Sequence, residues 1–360
     1  MLTRGDDYPI HQTPEPVAFA GSDRNFYDRY FFNGYSPDGA LFFAAALGVY
    51  PHLDVIDAAF CLLVDGKQHN IRASQRLKSE RMDLRVGPIE VRVIEPLKTL
   101  GVRVGDNDGG IRADLVFEGR HRPIEEPRFT RRQGPRMFMD YTRMTQNGAW
   151  SGTLTHNGAE IGIDPATVRG TRDRSWGIRP VGAPDAQPAP GGFQFFWLWA
   201  PINFDDRALF FHTNDDETGN AWNRRAVMDV FGVSQTEYEE PAPHLQFAPA
   251  TRRIQRVEIA LAAEGPKLTI TPSGKRFYMN GLGYTHPAWG HGRDHGEFET
   301  AYDVIENAED SAPGNLHIQA LAHATFEDGG RAIEGAGVLE QFLIGPHAPS
   351  GFKSVLDPAP

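Results

Sequence analysis

The chain has 360 residues, enough for roughly two domains that each bury a core. Its formal net charge of −11 argues against nucleic-acid binding, which needs clustered cations against phosphate. Glycine and proline are abundant, at 38 and 27 residues beside a 40% hydrophobic fraction, which points to many short strands and turns.

The N-terminal Met1-Leu-Thr-Arg-Gly-Asp-Asp lacks a basic-then-apolar leader pattern. No apolar run approaches the ~20 residues of a membrane helix, so a cytoplasmic protein with no integral membrane segment is expected. The only cysteine, Cys61, allows no internal disulfide and suits a reducing compartment. Within Ala58-Ala-Phe-Cys-Leu-Leu-Val64 it reads as a small buried apolar group.

Strand signals run from end to end. In the first half they cover residues 42–50, 57–64, 68–73, 89–97 and 115–117, with turn dipeptides at Asp65-Gly66, Asp108-Gly109 and Asn157-Gly158. In the second half they cover 193–199, 208–212, 226–230, 256–262, 268–271 and 316–322, with hairpins predicted at Ser273-Gly274 and Asp328-Gly329. Ile89-Glu-Val-Arg-Val-Ile and Val257-Glu-Ile-Ala-Leu alternate apolar and polar residues, the period of a strand with one wet face. Amphipathic helical periodicity is nearly absent. The proline- and glycine-rich stretch 181–192 reads as a linker between two all-β halves, 1–180 and 193–345, each a sandwich or an up-and-down barrel.

Gly170-Thr-Arg-Asp-Arg-Ser-Trp-Gly177 is the first candidate site. On an extended backbone Arg172, Arg174 and Trp176 share one side, with Thr171, Asp173 and Ser175 on the other. The arginines suit binding or polarising an oxygen, because the guanidinium fork both stacks and bonds bidentately. Asp173, flanked by both cations, is a better orienting anion than proton donor. The alternative is an ion-pair staple with Trp176 filling a core. Either way Trp176 is expected to be mostly buried.

Next in the chain, Phe193, Phe195, Trp197 and Trp199 alternate onto one face, as a core or as the wall of an apolar pocket. Further on, Gly283-Tyr-Thr-His-Pro-Ala-Trp-Gly-His-Gly292 concentrates Tyr284, His286, Trp289 and His291, and His295 follows. Tyr284 and Trp289 suit the walls of a mostly apolar pocket. The histidines suit acid/base work. Their spacing across Pro287 and two glycines matches no helical two-histidine metal motif and no cysteine joins them, so no metal is expected. Asp303 is the remaining acidic candidate, with a solvated strand as its plain reading. No phosphate loop, nucleophile elbow or complete dinucleotide motif occurs, and no cofactor is expected.

Arg172-Asp-Arg-Ser-Trp-Gly177 resembles the His-Asp-His-Asn-Trp-Gly signature of the carotenoid 1,2-hydratase (hydroxyneurosporene synthase) and AttH-like superfamily. The run 283–292 is similar to a pattern in relatives of that group. The resemblance implies an all-β chain of two lipocalin-like antiparallel β-barrel domains in tandem, with a pocket for isoprenoid or other lipophilic molecules. Asp173, Trp176 and Gly177 carry over directly. Arg172 and Arg174 stand where the signature has histidines, and a guanidinium is no proton donor at neutral pH.

The expected function is a cofactor-independent hydro-lyase or isomerase acting by acid/base chemistry on a hydrophobic terpenoid, steroid-like or polyketide substrate. His286, His291 and Asp303 are its proton-transfer candidates, with Asp173 as orienting carboxylate. Arg172, Arg174, Trp176, Trp197, Trp199, Tyr284 and Trp289 are its substrate contacts. If the protein is an enzyme, at least one of His286, His291 and Asp303 is expected to reach the same cavity as Trp176 or the Trp197/Trp199 face. A non-catalytic carrier of a lipophilic small molecule is the rival.

Overall fold

The structure, a computed structural model, describes residues 2–19, 21–134, 136–184, 194–306 and 308–359. Among them strands dominate and no α-helix occurs. The strands form two curled antiparallel sheets, one of 14 strands and one of nine, each of the lipocalin-like kind. The first runs Phe298–Ile305, Lys67–Arg76, Val55–Val64, Phe42–Tyr50, Phe26–Tyr35, Arg169–Ile178, Arg136–His156, Ile111–Gly119, Thr99–Val104, Ile89–Glu95, Arg85–Val86, and three short strands, Ile124–Glu125, Phe129–Gln133 and Ala159–Ile163, pair with Arg136–His156 off this path. In the second, Phe195–Asn203 lies between Arg207–Asp215 and Arg331–Ile344.

Local chemistry sets much of this. Asp65-Gly66 and Asn157-Gly158 both carry positive φ at the two turn positions (52° and 76°, 50° and 82°), the type I′ geometry that matches strand twist. Ser273-Gly274 differs from its predicted hairpin. It lies inside the strand Lys267–Tyr278, where the register with Ile318–Asp328 shifts between Pro272 and Arg276. Proline has no N–H to donate and glycine relaxes the backbone, so the pair makes a bulge and the strand continues.

The chain forms two compact units: Met1–Gly34, Leu41–Ala189 and Gly281–Glu306 in one, Tyr35–Ala40, Pro190–Asn280 and Asn307–Pro360 in the other. Residues 185–193 of the linker region, Phe193 included, lie outside the described residues. The segment Gly281–Glu306 joins the first unit because its strand Phe298–Ile305 pairs along the edge of Lys67–Arg76, from Phe298 opposite Gln75 to Ile305 opposite Gln68.

Each unit has its own apolar core. In the first, Trp150 is fully buried with the rings of Phe32, Phe43 and Phe117 at 5.8, 5.2 and 5.2 Å, and its Nε1 donates to Asn33 O at 2.8 Å. In the second, Phe196, Leu198, Ala200 and Ile202 face the core. Several strands are nonetheless buried on both faces: all nine residues of Phe42–Tyr50 are, and all nine of Phe195–Asn203. Such strands read as continuous apolar runs and not as alternation.

Candidate functional site

In the strand Arg169–Ile178 alternation holds, and it separates the motif into two environments. Arg172, Arg174 and Trp176 lie on the side of Tyr30 and Phe117. Arg172 is 2% exposed; its Nε donates to Gln146 Oε1 at 2.7 Å, and its guanidinium lies 6.0 Å from the Phe117 centroid. Burial lowers its pKa to about 10. Arg174 pairs with Asp28 and stacks 4.2 Å over Tyr30. Trp176 corrects its expectation: it is 40% exposed, following Arg174 out along the face and filling no core. On the opposite side Asp173, partly buried, interacts electrostatically with Tyr27, Arg143 and Arg172. Gly177 has a φ of +137°, and a Cβ there would collide with Asp140 O and the Tyr141 backbone, so the motif's terminal glycine is a steric requirement.

The histidine-rich segment folds back onto the outward face of the first sheet. Arg29, 2% exposed, clamps it, with Nη1 donating to Tyr284 Oη at 2.7 Å and Nη2 to Leu282 O at 3.3 Å. His291 has both ring nitrogens engaged. Arg179 Nη2 donates to its Nδ1 at 3.1 Å, and its Nε2 donates to Leu282 O at 3.0 Å. His291 is therefore a neutral strut. His286 accepts from the backbone N–H of Trp289 (2.8 Å) and Ala288 (3.2 Å) at Nδ1, which leaves the proton on Nε2. Burial first, and then the Arg72 cation, lower its pKa, so it stays neutral. Trp289 stacks on His295 at 3.9 Å.

Beneath this segment lie four residues that the sequence did not single out: Asp57, Tyr50, Arg72 and Asn70. Asp57 Oδ2 accepts from Gly292 N at 2.7 Å and Oδ1 from Tyr50 Oη at 3.1 Å. Burial raises its pKa, outweighing the Gly292 bond and the Arg29 cation, and the same burial pushes the Tyr50 phenol up. Arg72 is 3% exposed and pairs with Asp303, whose other oxygen accepts from Asn70 Nδ2 at 2.7 Å. Burial alone would raise the Asp303 pKa, but Arg72 and Asn70 outweigh it and the group is held as an anion. Asp57 and Asp303 are thus two carboxyls on one face with opposite shifts, the arrangement that separates acid from anion.

His286, His291, Tyr284, Trp289 and Asp303 therefore gather around Arg29, Asp57 and Arg72. Trp176, Arg172 and Arg174 do not join them, because they face the other side of the sheet, and the cavity expected to join the histidines or Asp303 to Trp176 is not found among the described residues. A small cavity of about 10 Å³ opens among Arg29, Asp57, Ser74, Trp289, His291 and His295. A roomier one, about 540 Å³, lies among Gly87, Glu90, Arg103, Asp106, Phe298 and Tyr302, with charged groups on its walls.

Trp197 and Trp199, described within the second unit, occupy the face turned from its core. Glu340 accepts there from Trp197 Nε1 at 2.9 Å, His317 Nε2 at 2.7 Å and Gln319 Nε2 at 2.6 Å. Burial raises the Glu340 pKa, but His317 and the hydrogen bonds outweigh it and leave the net shift downward. Trp197 thus belongs to a buried polar network centred on Glu340. Among the described residues no group of three or more His, Cys, Asp or Glu could hold a metal ion.

Two lipocalin-like units with an arginine- and histidine-rich face define a β-protein of the AttH-like fold. Residues 2–353 match a family of unknown function (DUF8625), and the chain belongs to that family. No curated protein matches it. Among solved structures it is similar to an AttH candidate from Nitrosomonas europaea, at 15% identity over 93% of this chain and 98% of that one, with a TM-score of 0.54. It is also similar to kievitone hydratase from Nectria haematococca, at 10% identity over 88% of each chain, with a TM-score of 0.50. At such identities the likeness is one of fold and does not extend to carotenoid-hydratase specificity.

Proposed function

We propose that this protein is a cofactor-independent enzyme that adds or removes water on, or isomerises, a hydrophobic small molecule. Asp57 serves as its proton donor and acceptor. The observation carrying the reading is the Asp57 carboxyl, held above its ordinary range on the same face as Arg29, Tyr284, His286 and the Arg72–Asp303 pair. A general acid must keep its proton near working pH, and burial of Asp57 acts in that direction. Tyr284, whose hydroxyl oxygen accepts from Arg29, supplies a donor for a substrate oxygen. His286, neutral with Nε2 protonated, is a second proton-transfer group, and Asp303 fixes Arg72. The fold shared with a protein named as a hydratase supports hydration or dehydration as the chemistry.

The test is native mass spectrometry of any lipophile that copurifies. That molecule, or a panel of terpenoid, steroid and polyketide alkenes, is then incubated with the protein and followed by mass for gain or loss of one water. Asp57→Asn is expected to retain binding and lose about 10²-fold or more in turnover. A tightly bound lipophile left unchanged by wild type, and held equally by Asp57→Asn, would establish the carrier instead.

A further inference from the structure

The 10 Å³ cavity beside Asp57 has room for one water. Two buried polar atoms on residues that line it, Arg29 Nε and His295 Nε2, have no hydrogen-bond partner among the described residues. They are complementary. Arg29 has committed Nη1 and Nη2 to Tyr284 and Leu282, which leaves its Nε–H as an unused donor. His295 places Nδ1 3.0 Å from Glu299 Oε2, a carboxylate that only accepts, so Nδ1 carries the proton and, in the neutral imidazole, Nε2 presents a lone pair. Trp289, stacked at 3.9 Å with an interplanar angle of 13°, fixes the plane of the imidazole. A buried donor and a buried acceptor left unpaired are each destabilising, and a water between them satisfies both.

We propose that this cavity binds one ordered water between Arg29 Nε–H and His295 Nε2, and that His295, braced by Glu299, is the base that deprotonates it. The inference rests on the hydration reading above. In the step it describes, Asp57 gives its proton to one alkene carbon of the substrate. The water oxygen forms a bond to the other carbon and loses a proton to His295 Nε2. Asp57 ends as carboxylate and His295 as imidazolium, and one proton passed from His295 to Asp57 through solvent restores both. No oxidant or reductant is needed, and dehydration is the reverse.

A high-resolution crystal structure of the wild type is expected to show a water within hydrogen-bond distance of both atoms, and His295→Phe is expected to lose it. His295→Gln keeps an acceptor near Nε2 but no base. It should retain the water and the affinity for the copurified lipophile while losing about 10²-fold or more in turnover. A dry cavity, or a water bonded to neither atom, overturns the water site without touching the role of Asp57. Turnover of His295→Gln within about threefold of wild type, with Asp57→Asn inactive, overturns the base assignment alone. If wild type converts nothing, the hydration reading falls, and the base role with it, while the crystal structure still decides the water site.

Discussion

The buried pair Glu126–Arg143 sets a measurable stake on the first unit. Arg143 donates to Glu126 through Nε at 2.8 Å and Nη2 at 2.5 Å, and Thr145 Oγ1 adds a bond at 2.5 Å. The side chains are 0% and 10% exposed, so solvent hardly screens them. Burial alone would lower the Arg143 pKa, but Glu126 and Tyr141 outweigh it, which keeps the cation charged. Glu126→Ala strands that cation and should cost about 3–5 kcal/mol. Glu126→Gln keeps the shape and one acceptor, so its cost should be nearer the about 1.5–3 kcal/mol of a hydrogen bond to a charged group. Glu126→Leu with Arg143→Met removes both charges and should recover most of the loss, because an apolar pair of similar volume has no desolvation penalty to offset. Equilibrium urea unfolding followed by circular dichroism measures all three. The reasoning is refuted if Glu126→Ala lies within about 1 kcal/mol of wild type, or if the double variant is no better than the single. The pair also supports a stack that reaches the candidate site: Arg143 over Phe129 (4.9 Å), Phe129 on Tyr141 (4.8 Å), Tyr141 against Tyr27 (6.1 Å), and Arg179 over Tyr27 (4.3 Å).

Three further outcomes are expected. The raised pKa of Asp57 means the folded state binds its proton more tightly than the unfolded chain, so its contribution is greatest in acid and lost as pH rises through the folded pKa. Asp57→Asn should therefore gain thermal stability relative to wild type as pH rises, and a margin that instead grows toward acid contradicts the assignment. Cys61 is fully buried with its thiol pushed up to about 12, so a thiol reagent should label it in urea and leave it unlabelled in the native protein. Gly177→Ala forces a Cβ onto a backbone at φ +137° and should destabilise by about 1–3 kcal/mol or more, read as a lower midpoint in the same urea assay.

The all-β fold was legible because its signals are local. The strand Phe42–Tyr50 is found within the residues its apolar run predicts, and Asp65-Gly66 closes the hairpin that its φ preference demands. The face shared by Arg172, Arg174 and Trp176 was legible for the same reason, since alternation needs only the neighbouring backbone. What covers that face was not, and Trp176 is exposed where a buried wall was expected. Asp57 shows the limit most sharply. In sequence it is an acid at the start of an apolar run, and its burial depends on Gly292, 235 residues away, whose N–H it accepts. A subtler signal was present. Asn70, Arg72 and Ser74 are buried and alternate with the core residues Ile71 and Ala73, while small residues, Ala44, Ala46, Ala59 and Cys61, occupy outward positions of the neighbouring strands. A face wetted by solvent has no need of small side chains and tolerates long charged ones. Small residues beside isolated polar groups instead mark a face that something packs against closely, and there a polar side chain is retained only with a partner or a task.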